Sequence, residues 1–294
     1  MVFFGHFLGG FYAGSDKLSF IWVPVTVGLL IFSFSSGYFT AIKYTGNFSK
    51  KNFYLGKLKR LGPNLLTIYV ILLFLFIWQN QPGLWHWHTL INILGLNGFL
   101  QWFYIENASP YGRAMWFLTL LLIFYLFYPV IEKLSRNTLR IFSILFVLTA
   151  YILSFKVTYG HALWLTCCGF ICGVCTGKNI LFIPYGYSKI VSLISLAALL
   201  VLNLIVNTNE LNFFLLLLFS LSFIFMILDL SLPDTLFRIS AFFSASLLGI
   251  YLLHPYFLII FTQIFVLDFF ISVVIVLILS RIASQTAKKI SLFF

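Results

Sequence analysis

Negative charge is what this chain has least of. Only seven of its 294 residues are acidic, and Asp16, Glu106, Glu132, Glu210, Asp229, Asp234 and Asp268 all fall at or near the ends of apolar runs. With no carboxylate pair inside a run, a glycosidase-like acid/base pair and a carboxylate proton relay are both excluded. The GxSxG, HExxH and P-loop patterns are missing too, which removes the hydrolase, zinc-protease and nucleotidase chemistries that depend on them. Charge of either sign is scarce at 9% of residues, where a soluble domain carries about a quarter.

Apolar residues fill the space. They make up 62% of the chain, and the mean hydropathy is +1.05. A soluble domain of this length has too little interior to hide that much apolar surface, so the solvent is a bilayer. Ten runs are candidates to cross it: Val2 to Ala13, Trp22 to Phe39, Leu65 to Trp78, Met115 to Ile131, Ile141 to Phe155, Ala162 to Gly177, Ile190 to Val206, Phe213 to Leu228, Phe242 to Phe265 and Phe269 to Leu279. The expected fold is all-α, a polytopic membrane helix bundle of about ten transmembrane helices forming a single domain over residues 1–294. No soluble domain, internal repeat or low-complexity tail interrupts it.

The net charge of +11 would point to nucleic acid in a soluble protein, but here it is read by position. Lys43, Lys50, Lys51, Lys57, Lys59 and Arg60 follow one another without an acidic residue, as an expected loop that Pro63 closes. If that loop is cytoplasmic, alternation of the runs puts fifteen of the eighteen Lys and Arg on the same side. Only Lys17, Arg113 and Lys156 fall outside. This asymmetry is the positive-inside pattern, and it makes both termini cytoplasmic. No nucleic-acid partner is expected. Val2 to Ala13 is short for a crossing, about 18 Å against a core of about 30 Å, which reads as a first helix cut at its cytoplasmic half. It lacks the charged start and small-residue site of a cleavable signal peptide. Gln79 to Arg113, with Trp85, His86, Trp87, His88, Trp102 and Tyr104, reads as an external interfacial segment containing a short amphipathic helix.

Two ionisable side chains remain inside apolar runs, His6 and His254. An imidazole titrates near neutrality and can remove a hydroxyl proton. For His6 the spacing leaves that role and a hydrogen-bonded buried histidine equally open. His254 precedes Pro255, so a proline-broken helix whose freed backbone the imidazole satisfies is the plainer reading. Cys167, Cys168, Cys172 and Cys175 alternate with Gly169, Gly173 and Gly177. A close-packing face is preferred there to a thiolate metal site, and no metal is expected. Lys57, Lys59 and Arg60 serve either as topology signals alone or also as a grip on a phosphate-rich cytosolic ligand.

Several stretches in order resemble the integral-membrane acyltransferase family three, whose bacterial members O-acylate surface glycans. They are GHF at His6, IFSFSSGYF, NFYLGKLKRLGP, WFLTLLLIFYLFYP from Trp116 to Pro129, and YLLHP from Tyr251 to Pro255. The chain departs from the family at the arginine eleven positions before the histidine, which would precede Met1. Leu121 and Leu122 stand where one large subgroup has glutamates, as in the subgroup acting on exopolysaccharide. The resemblance implies acyl transfer, expected to be acetyl, from acyl-CoA to a sugar hydroxyl of a surface glycan or its lipid-linked precursor, in the bacterial cytoplasmic membrane. It implies His6 as catalytic base, Lys57, Lys59 and Arg60 for the donor's anionic end, and Trp116, Tyr125 and His254 lining the cavity. Acetyl-CoA is then a substrate, and no bound cofactor is expected. A glycan translocator without chemistry is the competing class. A proton-coupled transporter is disfavoured by the missing carboxylates.

The charge asymmetry is testable. Reporter fusions after Lys59 and Arg140 should read cytoplasmic, and fusions near Asn107 and Asn209 external. A cytoplasmic signal at Asn107 would overturn the assignment of sides.

Overall fold

The computed structural model describes residues 1–11, 22–44, 46, 48–113, 115–157, 160–205, 209–231 and 233–293. The expected outer turn at Gly14 to Lys17 lies outside them. Among the described residues all regular structure is helical. The α-helices are α1 (Val2–Phe11), α2 (Trp22–Lys43), α3 (Lys50–Trp78), α4 (His88–Ile93), α5 (Asn97–Trp102), α6 (Trp116–Glu132) and α7 (Arg136–Lys156). They continue with α8 (Gly160–Gly177), α9 (Tyr185–Ile205), α10 (Asn209–Leu228), α11 (Asp234–Ser244), α12 (Leu247–Leu253) and α13 (Phe265–Ile290).

Five helices are long and apolar enough to cross a bilayer, namely α2, α3, α7, α9 and α13. The pair α11 and α12, bent by 54°, makes a sixth. The remaining four expected runs are helical but shorter, as α1, α6, α8 and α10. Two boundaries differ from the sequence reading. The basic segment is not a loop up to Pro63, because helix starts at Lys50, where the Ser49 hydroxyl accepts the Asn52 N–H at 3.4 Å. Pro63 lies inside α3, buried. Its missing N–H costs a backbone bond at Lys59, while next door the Asn64 side-chain amide donates to the Arg60 carbonyl at 2.9 Å. The 29 residues of α3 reach about 43 Å, longer than a hydrocarbon core, so its basic first turns have room beyond it. The other change is at the expected Phe242 to Phe265 run: helix begins at Asp234, bends at Ala245, and ends after Pro255.

The chain divides into two compact units. The first comprises residues 1–5, 14–48 and 127–231. Its centre is the pairing of α2 with α8, which shows why the cysteine stretch is full of glycine. A Cβ on Gly173 would run into the Phe34 carbonyl oxygen, one on Gly169 would come within 2.8 Å of the Leu30 oxygen, and one on Gly177 within 2.7 Å of the Ala41 methyl. Gly37 of α2 returns the contact against the Phe170 carbonyl. Glycines every fourth residue thus let two backbones touch, and the Ser33 hydroxyl donates across the seam to the Thr166 carbonyl at 2.6 Å. The four cysteines are buried free thiols on this packed helix, as the close-packing reading expected. At the end of α8, Lys178 meets the Glu132 carboxylate at 3.2 Å, and the Tyr128 hydroxyl donates to that carboxylate at 2.6 Å.

The second unit comprises residues 6–13, 49–126 and 232–294. Here α12 and α3 both pack on α13, which serves as a rail. Gly249 of α12 rests against Ser280, and the Ile259 N–H beyond the helix donates to the Ser272 hydroxyl at 2.8 Å, so α12 and α13 run antiparallel. The turn between them is organised by Asp268, fully buried in the first turn of α13. Its carboxylate accepts the N–H groups of Phe261, Thr262 and Gln263 and the Thr262 hydroxyl at 2.8–3.2 Å.

If backbone contact holds α2 to α8, Gly173→Ala should overpack the seam and cost about 1–3 kcal/mol. Gly186→Ala, which meets nothing within 4 Å, should cost nothing. Thermal unfolding in detergent separates the two, and an unchanged melting temperature for Gly173→Ala would show that the seam yields freely.

Candidate active site

The two histidines singled out in the sequence are brought together in the second unit. The rings of His6 and His254 lie with centroids 5.1 Å apart and planes at 52°. His254 is 1% exposed. His6 rides on α1, which is seated on the rail by aromatic edges. Phe7 packs on Phe265 at 5.4 Å and Phe269 at 5.3 Å, and Phe11 on Phe265 at 5.3 Å. The Asp268 turn therefore fixes the start of α13 and, through Phe265 and Phe269, the seat of the His6 helix.

Pro255 ends the regular helix one residue after His254, and the turn it creates sets the histidine's tautomer. Nδ1 of His254 lies 2.6 Å from the Tyr251 carbonyl oxygen. A carbonyl only accepts, so Nδ1 carries the proton and Nε2 of the neutral ring is a lone pair. Tyr251 packs beside His254 at 5.8 Å and against Phe117 at 5.3 Å. Phe117, rather than the neighbouring Trp116, is the α6 residue that reaches this group. Trp116 is half-buried, with its ring 6.1 Å from that of Phe117.

The basic residues divide between two places. Lys57 lies with Nζ 3.8 Å above the Tyr125 ring and 5.5 Å from the Phe53 ring, and Phe53 meets Tyr125 edge-on. Tyr125 is thus the seat of a lysine. Lys59 and Arg60 instead line a cavity of about 280 Å³ with Asn64, Ser284, Lys288 and Ser291, over Pro63 and Ala287. Lys288 is a third cation that sequence reasoning placed on the same side but did not connect to the others. The signal was its position in the last turn of the final helix, yet only the packing of α3 on α13 makes it a neighbour.

The cation cavity and the histidine pair stand at different heights on one rail. Lys288 lies eight residues past Ser280, and His254 five residues past Gly249 in the opposite direction. At about 1.5 Å per residue the two sites are about 20 Å apart along α13. A ligand reaching both would be long, narrow and anionic at one end.

The segment from Gln79 to Arg113, expected to be external and interfacial with an aromatic belt, adds a third group. Trp85 and Trp87 are exposed as a belt requires, but His88 is buried and its Nδ1 accepts the Ala108 N–H at 3.1 Å. Burial and the adjacent His86 keep the His88 pKa below its usual value, so the ring stays neutral and its lone pair available. Asn92 donates to the Asn107 side chain and the Tyr111 carbonyl, and Asn97 donates to Asn92. Burial, with Tyr256 adding, pushes the Tyr111 phenol up to about 12, which keeps it a donor to the Tyr69 carbonyl. This network is tied to the histidine turn by Tyr256, whose hydroxyl oxygen accepts the N–H groups of Gly112 and Arg113 at 2.9 and 3.0 Å.

Described residues whose regular structure is all helical, with several apolar helices long enough to cross a bilayer, mark a membrane protein. The family is given by comparison: residues 1–286 match the model described as an acyltransferase domain, and the chain belongs to acyltransferase family 3. It is a membrane acyltransferase, and the matched stretch runs through both units. No curated protein and no solved structure matches the chain.

Tyr256→Phe should leave two loop N–H groups without their acceptor, at about 1–3 kcal/mol for each one that stays buried. Amide exchange at Gly112 and Arg113 should speed up markedly. Exchange as slow as in the wild type would mean that the tyrosine does not hold the loop.

Proposed function

We propose that the protein is an O-acetyltransferase that moves an acetyl group from acetyl-CoA to a sugar hydroxyl of a surface glycan or its lipid-linked precursor. It does so in the bacterial cytoplasmic membrane, with about ten spans and both termini in the cytoplasm. The observation that carries the reading is the His6–His254 pair, inside a chain of an acyltransferase family.

His6 takes the proton of the acceptor hydroxyl as its oxygen attacks the thioester carbonyl. The tetrahedral oxyanion collapses, the C–S bond breaks, and the departing CoA thiolate takes the proton back from His6, which restores the base. One acetyl ester and one CoA thiol result. His254, with Nδ1–H committed to Tyr251, presents a lone pair at Nε2. At that atom it accepts rather than donates, so it holds an N–H of His6 or of the acceptor, directly or through one water. Oxyanion stabilisation falls to other donors, the Tyr251 hydroxyl among them. Lys59 and Arg60 hold the nucleotide end of the donor, about one arm's length of CoA from the imidazoles. Lys57, stacked on Tyr125, flanks that entry.

Removal of the base should be expensive. His6→Ala should lower glycan acetylation by at least about 10²-fold, the low end for a lost general base. His254→Asn keeps an amide N–H for the Tyr251 carbonyl and loses Nε2, so it should fold normally and also acetylate poorly. Acetylation is measured in cells at matched membrane abundance. Normal acetylation by His6→Ala would remove the base assignment.

A further inference from the structure

The cavity at the end of the rail gathers three cations, Lys59, Arg60 and Lys288, around the polar side chains Asn64, Ser284 and Ser291. Among the described residues none of these three cations is in an ion pair. Like charges held around one small space repel, and an anion placed between them removes the repulsion and adds charge-assisted hydrogen bonds. The α13 C-terminus contributes nothing of its own, since its dipole end is negative. The attraction must come from the side chains.

We infer that this cavity is a phosphomonoester site that reads the 3′-phosphate of coenzyme A, with Lys288 as its specificity-determining cation. This rests on the donor assignment above and narrows it. A phosphomonoester carries about −1.5 to −2 charges at pH 7, against −1 for a diester, so a third cation favours the monoester in particular. Free acyl-CoA has that group, whereas an acyl chain on a carrier protein is attached through a phosphodiester and lacks it. The two lysines supply point charges, Arg60 supplies a planar fork, and the hydroxyls and amide complete the oxygen contacts. The separation of about 20 Å between cavity and imidazoles along α13 suits an extended phosphopantetheine arm. The protein thus accepts the soluble thioester and rejects carrier-bound acyl groups.

The test uses the whole protein in nanodiscs of zwitterionic lipid, with displacement of labelled acetyl-CoA by CoA and by 3′-dephospho-CoA. Wild type should bind CoA at least about tenfold more tightly, or about 1.4 kcal/mol. Lys288→Gln should weaken CoA binding alone and shrink the ratio to about threefold or less. Lys289→Gln changes the net charge equally outside the cavity and should keep the full ratio. Equal affinities in wild type, or a full ratio in Lys288→Gln, would overturn the inference and leave the donor assignment standing. Failure of wild type to bind either compound would overturn both. Displacement of CoA by phosphatidic acid, in a wild type indifferent to the 3′-phosphate, would give the cavity to lipid and overturn the nucleotide reading.

Discussion

Hydrocarbon does not solvate an amide, and every level of this structure follows from that. Backbone N–H and C=O groups must be satisfied within the chain, so all crossing segments are helices. With no water to expel between them, helices associate by contact rather than by hydrophobic burial. The α2–α8 seam is that rule in operation, with glycines where the opposing carbonyls come closest. Around the histidine turn, where helix stops, side chains take over its duty. Asp268 receives three consecutive backbone N–H groups, Tyr256 receives two, and His254 donates to the carbonyl three residues back.

The same constraint separates what could be read in the sequence from what could not. The bilayer and the helical class follow from composition, and each of the ten expected apolar runs overlaps helix among the described residues. The glycine–cysteine face was legible because close packing leaves a four-residue period. Helix ends were less so. The basic stretch looked like a loop because charge and Pro63 both suggest one, but a segment capped by Ser49 and rich in lysine and leucine continues as helix through Gly56, Gly62 and Pro63. Likewise a run unbroken in hydropathy from Phe242 to Phe265 concealed a bend at Ala245 and a folded turn after Pro255, since hydropathy is blind to the carboxylate that folds it.

His6 and His254 stood out as the ionisable exceptions in apolar runs, and the fold pairs them. Their partners could not all be found by spacing. Tyr251 sits three residues before His254 in the YLLHP stretch, but Phe117 and Lys288 are distant in sequence and meet the named residues only through α6 and α13. Lys57 was grouped with Lys59 and Arg60 by proximity along the chain. Helix geometry separates them: Lys57 turns toward the aromatic face of α6, while Lys59 and Arg60 face the last turns of α13.

The Asp268 turn also bears on how the chain comes together. All its donors lie five to seven residues before the carboxylate, and the Ile259–Ser272 bond spans thirteen. Closing such short loops costs little chain entropy, and the bonds form within one emerging hairpin. The seat for the His6 helix is therefore complete only once Phe265 and Phe269 are in place, far along the chain from His6. The histidine pair joins two distant parts of the chain, so a chain that stops before Phe265 lacks the aromatic seat that holds α1.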